Sequence, residues 1–176
     1  MNTSAERGVP GEPRGPRRPS VAELLRDPRL AIAFGFGLGL MPKAPGTFGT
    51  LLGIPLHFAT VGLVWPLRLG VIALGFGLGV AVCGHAARVL ATHDHPGIVW
   101  DEVIGYLIAM LAAPAGWLGT VLGFALFRVF DVWKPWPIRV ADRRIGGGFG
   151  IMFDDALAGA GAAAILWSAQ ALGLLQ

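Results

Sequence analysis

Apolar and polar residues alternate in long blocks along this chain rather than at single positions. Six apolar stretches run from Leu30 to Met41, Thr47 to Trp65, Leu69 to Leu90, Val103 to Ala113, Trp117 to Phe127 and Ile151 to Leu175. Because a helix needs about 20 apolar residues to cross a bilayer, the second, third and sixth stretches are each long enough alone. The first stretch predicts a short helix or an interfacial segment. The pattern therefore indicates an all-α membrane protein.

The fourth and fifth stretches are separated by Pro114, Ala115 and Gly116, where proline removes a backbone hydrogen bond and glycine weakens a helix. They form either one kinked span or a short helical hairpin over 103–127. Cytoplasmic loops of membrane proteins carry most of the lysines and arginines. The hairpin leaves Arg68 alone, among fourteen such residues, on the outer face, whereas one kinked span moves five cations there. We therefore expect a multi-pass helical bundle of about four to five membrane-embedded helices, with this hairpin and with the amino terminus inside.

Composition supports a membrane location and narrows the possible functions. Only 14% of the 176 residues are charged, and the net charge is +3. Residues 1–29 are rich in Pro, Arg and Gly, which predicts a disordered basic tail ahead of a membrane-embedded domain at 30–176. The single cysteine, Cys83, excludes an internal disulfide. No basic nucleic-acid-binding motif and no Walker-type phosphate loop occurs, so we expect anionic lipid as the partner, and neither nucleic acid nor nucleotide.

The predicted topology brings four polar stretches, each beside a helix end, to one face of the membrane. They are MPKAPGTFG at 41–49, HDHPGIVWDE at 93–102, FRVFDVWKPWPIR at 127–139 and GGGFGIMFDD at 146–155. Five carboxylates lie in these stretches: Asp101, Glu102, Asp131, Asp154 and Asp155. A single acidic residue at a helix start is usually a cap, and each doublet is expected to open a helix. Two doublets and Asp131 on one face instead favour a functional site.

Clustered carboxylates repel one another unless a cation lies between them. Their hard oxygen ligands suit magnesium, calcium or manganese, and the chain has neither a cysteine cluster nor an HExxH motif for zinc. Cations near the acids would bind an anionic substrate, with arginine able to grip a phosphate through two parallel hydrogen bonds. The candidate substrate contacts are Lys43, Thr47, Arg128, Lys134 and Arg139. Thr47 is equally suited to be an ordinary helix cap.

Two prolines and two tryptophans complete the third polar stretch. Pro135 and Pro137 are expected to end a helix after Lys134 and to turn the chain along the membrane surface. Trp133 and Trp136 are more typical of the aromatic belt at a membrane interface than of a binding site.

Together, the four polar stretches resemble the phosphatidylglycerophosphatase A family of bacterial membrane lipid phosphatases. The residues that carry the resemblance are PKAPGTFG at 42–49, HDHPGIVWDEVIG at 93–105, FRVFDVWKPWPIR at 127–139 and GGGFGIMFDDALAG at 146–159. The resemblance implies a magnesium-dependent, all-helical enzyme in the bacterial cytoplasmic membrane. The predicted topology puts its active face toward the cytoplasm. Such an enzyme removes the terminal phosphate of phosphatidylglycerophosphate to give phosphatidylglycerol.

In that enzyme, the five carboxylates would hold one or two Mg²⁺ ions, and Asp101, Asp131 and Asp155 would be catalytic. Either a metal-activated water attacks phosphorus, or Asp131 or a member of an acidic doublet forms an aspartyl-phosphate. The alternative function is a small cation transporter that uses the carboxylate cluster. Its disadvantage is that the acids lie at helix ends on one face, whereas transporter sites lie at the membrane midplane.

Overall fold

The computed structural model describes residues 17–92 and 95–175, and these ranges are helical without any strand. The α-helices in these ranges are α1 (Val21–Arg26), α2 (Pro28–Ala33), α3 (Pro45–Thr60), α4 (Trp65–Val89), α5 (Trp100–Ala109), α6 (Trp117–Trp133), α7 (Ile138–Arg144) and α8 (Gly147–Ala171). Two 3-10 segments cover Gly35–Leu40 and Met110–Ala112. The all-α prediction is confirmed. His93, which begins the second polar stretch, and the first 16 residues of the predicted tail lie outside the described residues.

Two of these helices are long and apolar enough to cross a membrane. Among the described residues, they are α4 and α8, with 25 residues each. Helix α3, which was expected to span, has 16 residues and contains Pro55. At 1.5 Å per residue it covers roughly 24 Å, less than the roughly 30 Å hydrocarbon core of a bilayer. The total of four to five embedded helices stays a prediction.

The interruption at Pro114 turns the chain back on itself. Helix α5 ends at Ala109, and Gly116 then adopts a left-handed conformation with φ 89° directly before α6. Helix α6 runs back along α5, so that Arg128 near its end lies 3.6 Å from Glu102 in the first turn of α5. The observed form is therefore the hairpin and not one kinked span. Helix α6 ends at Trp133, directly before Lys134 and the two prolines, as expected.

Helix α8 lies at the centre of the bundle and packs against α4, α5, α6 and α7. It approaches α5 closely, and a Cβ on Gly159 would overlap the carbonyl oxygen of Gly105. Small residues permit this approach, a common device in membrane helix packing. Asp101 and Asp155 each lie one turn before these glycines on helices that run in the same direction. The close packing of α5 against α8 therefore places the carboxylates of Asp101 and Asp155 beside each other.

The segment before α3 is more ordered than the sequence indicated. Helix α1 lies inside the predicted tail and begins with a capping box between Ser20 and Glu23. Asp27 caps α2, and its Oδ2 lies 2.6 Å from Nε2 of His85 on α4. This hydrogen bond holds the pKa of the Asp27 carboxyl below its ordinary value. The stretch from Leu30 to Met41, expected to be a short helix or an interfacial segment, contains the end of α2 and a 3-10 segment.

Candidate active site

A cavity of about 290 Å³ opens at the end of the bundle where α3, α5 and α8 begin and α6 ends. Its charged lining consists of six carboxylates and two cations: Asp101, Glu102, Asp131, Asp142, Asp154, Asp155, Arg128 and Lys134. All five carboxylates that the sequence singled out therefore meet in one cavity. The excess of negative charge favours a bound cation there.

Three of these carboxylates form a compact group. Asp101 and Glu102 of α5 and Asp155 of α8 each offer one oxygen, and these oxygens all lie within 4.8 Å of one another. Oε2 of Glu102 and Oδ2 of Asp155 are buried and have no hydrogen-bond partner among the described residues. Buried carboxylates are costly without a compensating positive charge. The group thus fits a divalent cation that prefers hard oxygen ligands, such as Mg²⁺.

The other two predicted metal ligands have cationic partners. Nη1 of Arg128 lies 2.5 Å from Oδ2 of Asp131 and 3.6 Å from Oε1 of Glu102. Nζ of Lys134 lies 2.5 Å from Oδ2 of Asp154. Asp131 and Asp154 therefore hold the two cations at the cavity, and their predicted role as metal ligands stays a prediction.

Lys134 also contacts Asp142, a residue that the sequence analysis missed. Its Nζ lies 2.6 Å from Oδ1 of Asp142 on α7. Burial by itself lowers the pKa of the Lys134 ammonium, but the hydrogen bonds to Asp142 and Asp154 outweigh burial and raise the pKa above its ordinary value. Lys134 is therefore a permanent cation in the cavity.

One signal for Asp142 was present in the sequence. Ile138 and Asp142 are four residues apart, a spacing that puts two side chains on one face of a helix. Ile138 is buried, so this face of α7 points inward. Asp142 was not singled out because it lies in a strongly basic stretch, directly before Arg143 and Arg144.

The expectation that Asp154 and Asp155 open a helix is wrong. Helix α8 begins at Gly147, so both carboxylates lie about two turns inside it. The capping explanation therefore does not account for this doublet, whereas Asp101 and Glu102 do lie in the first turn of α5. Two buried acidic residues inside a helix are a stronger indication of function than two acids at its start.

Three of the predicted substrate contacts do not line the cavity. Lys43 is exposed in the bend before α3, although its neighbour Ala44 lines the cavity. Thr47 is half-buried in the first turn, where its backbone N donates to the carbonyl of Ala44, so Ala44 and not Thr47 is the helix cap. Arg139 is exposed, and its Nη2 donates to the carbonyl of Trp133 at 3.4 Å. Binding of substrate by these three residues stays a prediction.

Glycines at the start of α3 bring this helix against the carboxylates. A Cβ on Gly46 would overlap Oε1 of Glu102, and a Cβ on Gly49 would lie 3.0 Å from its Oε2. Any larger residue at Gly46 must therefore displace the Glu102 side chain. The two glycines of the APGTFG sequence thus leave room for the Glu102 carboxylate, a contact that no local pattern reveals.

Comparison with known proteins decides the family. The family model described as Phosphatidylglycerophosphatase A matches residues 31–170. The chain belongs to this family. The resemblance of the four polar stretches is confirmed, and so is the expectation of an enzyme of the phosphatase class.

Individual relatives agree with this assignment. Phosphatidylglycerophosphatase A of Escherichia coli (strain K12) is 44% identical over 156 residues, which cover 86% of this chain and 91% of the relative. Phosphatidylglycerophosphatase A of Haemophilus influenzae is 41% identical over 148 residues, which cover 83% and 91%. A Bacteroides thetaiotaomicron protein, provisionally named as a phosphatidylinositol-3-phosphatase, is 37% identical over 155 residues, which cover 81% and 90%. No solved structure matches the chain.

Proposed function

We propose that this protein hydrolyses the terminal phosphate monoester of phosphatidylglycerophosphate, giving phosphatidylglycerol and inorganic phosphate. The supporting observation is the cavity in which α5, α6 and α8 bring carboxylates and two cations together, in a chain of this family. Phosphate monoesters hydrolyse extremely slowly unaided, so a catalyst must chiefly neutralise charge and align the reacting groups. The cation-transporter alternative has no support from the named relatives.

We further propose that the enzyme depends on Mg²⁺ held by Asp101, Glu102 and Asp155. Their oxygens are close enough together to share one ion. When bound, Mg²⁺ would offset the charge of the carboxylates and withdraw electrons from an oxygen of the substrate phosphate. Magnesium commonly uses one or two carboxylates, waters and substrate phosphate as ligands, so this site need not be closed by protein groups.

Arg128 and Lys134 are the proposed phosphate-binding residues. Both line the cavity, and each is held there by a carboxylate within 2.5 Å. A guanidinium has five N–H donors, so Arg128 retains several for phosphate oxygens. The Lys134 ammonium has three donors, of which two point to Asp142 and Asp154, so it retains one. The beginnings of α3, α5 and α8 face the same cavity, and their helix dipoles also favour an anion.

Two routes remain for attack on phosphorus. In the first, water attacks in line with the leaving lipid alkoxide, and a cavity carboxylate accepts the proton of that water. In the second, an oxygen of Asp131 bonds to phosphorus while the bond to the lipid oxygen breaks, and water then hydrolyses the aspartyl-phosphate. Acid quenching during turnover of ³²P-labelled substrate distinguishes them, because only the second route leaves label on the protein.

The proposed location is the bacterial cytoplasmic membrane, with the cavity at the cytoplasmic face. Arg143 and Arg144 lie at the end of α7, directly before α8 enters the bundle. An excess of cations marks the cytoplasmic side. A cysteine introduced in place of Arg144, with Cys83 replaced by alanine, should be shielded from an impermeant thiol reagent in intact cells. Ready labelling would place the cavity on the outer face.

The activity itself is tested with purified protein in detergent and phosphatidylglycerophosphate as substrate. We expect phosphate release with Mg²⁺ and none with a chelator. Phosphatidylinositol 3-phosphate is the comparison substrate, because one relative carries that name. Absence of phosphate release from phosphatidylglycerophosphate with Mg²⁺, Mn²⁺ or Ca²⁺ contradicts the proposed function. Preference for the inositol lipid would reassign the substrate while keeping the phosphatase.

A further inference from the structure

A second depression, which we call the α6 groove, lies on the outer side of α6 near its end. It has a volume of about 420 Å³ and is lined by Arg128, Val129, Val132 and Trp133. The three apolar side chains are 51%, 72% and 71% exposed, respectively. Apart from the stem of Arg128, the groove is therefore an open hydrocarbon surface on which no described residue packs closely.

The α6 groove adjoins the carboxylate cavity. Arg128 and Val132 line both spaces. Residues 128 and 132 are one helical turn apart, so the boundary between the two spaces follows one stripe of α6. On one side of this stripe lie the carboxylates, and on the other lie Val129 and Trp133. The Arg128 guanidinium, paired with Asp131, stands at the junction.

We propose that the α6 groove binds the acyl chain of the lipid substrate next to its glycerol, while the phosphate monoester occupies the carboxylate cavity. This inference rests on the proposed function and adds to it the place where the lipid part binds. The ligand must carry its anionic and apolar parts close together, as a phospholipid does. The arrangement matches that chemistry, with a cation at the junction, acids and cations on one side and exposed hydrocarbon on the other.

The position of the groove on the exterior of the bundle has a physical advantage. Moving an acyl chain from a bilayer into water is unfavourable, and the cost grows with each CH₂ group that becomes exposed. A lipid that slides along the outer face of α6 keeps its chains in hydrocarbon, so that only its headgroup must enter the cavity. Access from the side along α6 avoids the cost that extraction of the whole lipid would impose.

The test measures selectivity for a lipid over its headgroup. The two substrates are diacyl phosphatidylglycerophosphate and its deacylated form, which has the same phosphate monoester without acyl chains. For Val129→Ser, we expect the ratio of kcat/KM for the diacyl substrate to that for the deacylated substrate to fall by about tenfold, the value of one lost apolar contact. The separate variant Val129→Ile keeps the apolar surface and should have the same ratio as the wild-type protein.

The matched control is Leu74→Ser, at a leucine on α4 that is 76% exposed but lines neither space. We expect it to leave the ratio unchanged. An equal fall of both rates in Val129→Ser, or no change in the ratio, overturns the inference. Absence of any hydrolysis by the wild-type protein instead contradicts the proposed function, so the two failures are distinguishable.

A second measurement uses the wild-type protein and does not depend on the folding of a variant. A phosphatidylglycerophosphate with a photoreactive diazirine near the glycerol end of one acyl chain is cross-linked and the labelled residues are mapped by mass spectrometry. We expect labels concentrated on residues 129–133, and competition by unlabelled substrate. Labels spread over the exposed apolar residues of α4 and α8 as strongly as over α6 overturn the inference.

Discussion

Nη1 of Arg128 lies 3.6 Å from Oε1 of Glu102, and this contact joins the end of α6 to the beginning of α5. The same guanidinium lies 2.5 Å from Asp131, so one side chain faces carboxylates of both arms of the hairpin. The two arms can meet in this way only because the chain reverses after Pro114. The hairpin therefore has a chemical consequence, since it delivers a cation and two acids to one cavity.

Arg128→Lys tests whether the shape of this cation matters as well as its charge. Lysine keeps the charge but loses the planar fork that can bind a carboxylate and a phosphate together. We expect kcat/KM for phosphatidylglycerophosphate to fall by roughly 10- to 100-fold, the equivalent of about one or two hydrogen bonds to a charged group. Arg144→Lys, at an exposed arginine outside the cavity, is the control and should change kcat/KM by less than about twofold. Equal effects of the two substitutions would remove Arg128 from substrate binding.

Asp155→Asn tests the carboxylate group as a metal site. Removal of one buried negative charge beside Asp101 and Glu102 relieves repulsion when no cation is bound. In chelator we therefore expect the Tm of the variant to rise by about 2–4 °C. In Mg²⁺ the wild-type protein should gain stability by ligand binding, and the variant should gain little. A lower Tm of the variant in chelator, or equal stabilisation of both proteins by Mg²⁺, contradicts this assignment.

Gly46→Ala tests the close approach of α3 to Glu102. The added methyl group would overlap the Glu102 carboxylate, so we expect a loss of roughly 1–3 kcal/mol of stability and weaker Mg²⁺ dependence. Gly77→Ala on α4 is the matched control, since a Cβ there meets nothing within 4 Å. Alanine favours a helix over glycine, so the control should be neutral or slightly stabilising. Thermal unfolding in detergent compares the two variants, and similar effects would show that Gly46 is not required by packing.

Asp27→Asn tests the link between the amino-terminal helices and α4. The hydrogen bond with His85 lowers the pKa of Asp27 in the folded protein. A carboxyl with a depressed folded pKa contributes stability above its unfolded pKa of about 4, and that contribution is lost as the pH falls through the folded value. We therefore expect the variant to have a lower Tm than the wild type at neutral pH. The difference should disappear at pH values well below 4, and a difference that persists there would contradict this explanation.

The sequence predicted which carboxylates meet at the candidate site, because the rarity of charged residues and the predicted topology indicated the same residues. Charges are costly at membrane depth, so Asp101 and Asp155 stood out in an apolar chain, and the distribution of cations favoured the hairpin that brings Asp131 to them. The contacts between individual residues around the cavity could not be predicted in this way. Asp142 reaches Lys134 only through the path of α7, and Gly46 approaches Glu102 only through helix packing. Such contacts depend on tertiary structure and leave no local pattern.

The observed ends of some helices also differ from the ends of the apolar stretches that predicted them. The apolar stretch that predicted α8 starts at Ile151, but the helix begins at Gly147. Glycine has no apolar side chain, so the glycines before Ile151 did not extend the apolar stretch. The stretch from Leu30 to Met41 was expected to be one short helix or an interfacial segment. Helix α2 ends at Ala33, and in the 3-10 segment that follows, Phe36 and Gly37 have positive φ angles of 56° and 103°. An apolar pattern alone predicts burial and length, but it does not reveal such a backbone reversal.

The most direct test of the central claim compares phosphate release from phosphatidylglycerophosphate by the wild-type protein and by Asp131→Asn in Mg²⁺. Asparagine keeps the size of the side chain but removes the carboxylate that faces Arg128 in the cavity. We expect the rate to fall by at least about 10³-fold while the Tm stays near that of the wild type. Glu23→Gln on α1, outside the cavity, is the control and should retain activity. A folded Asp131→Asn protein with wild-type activity would contradict the assignment of this cavity as the active site.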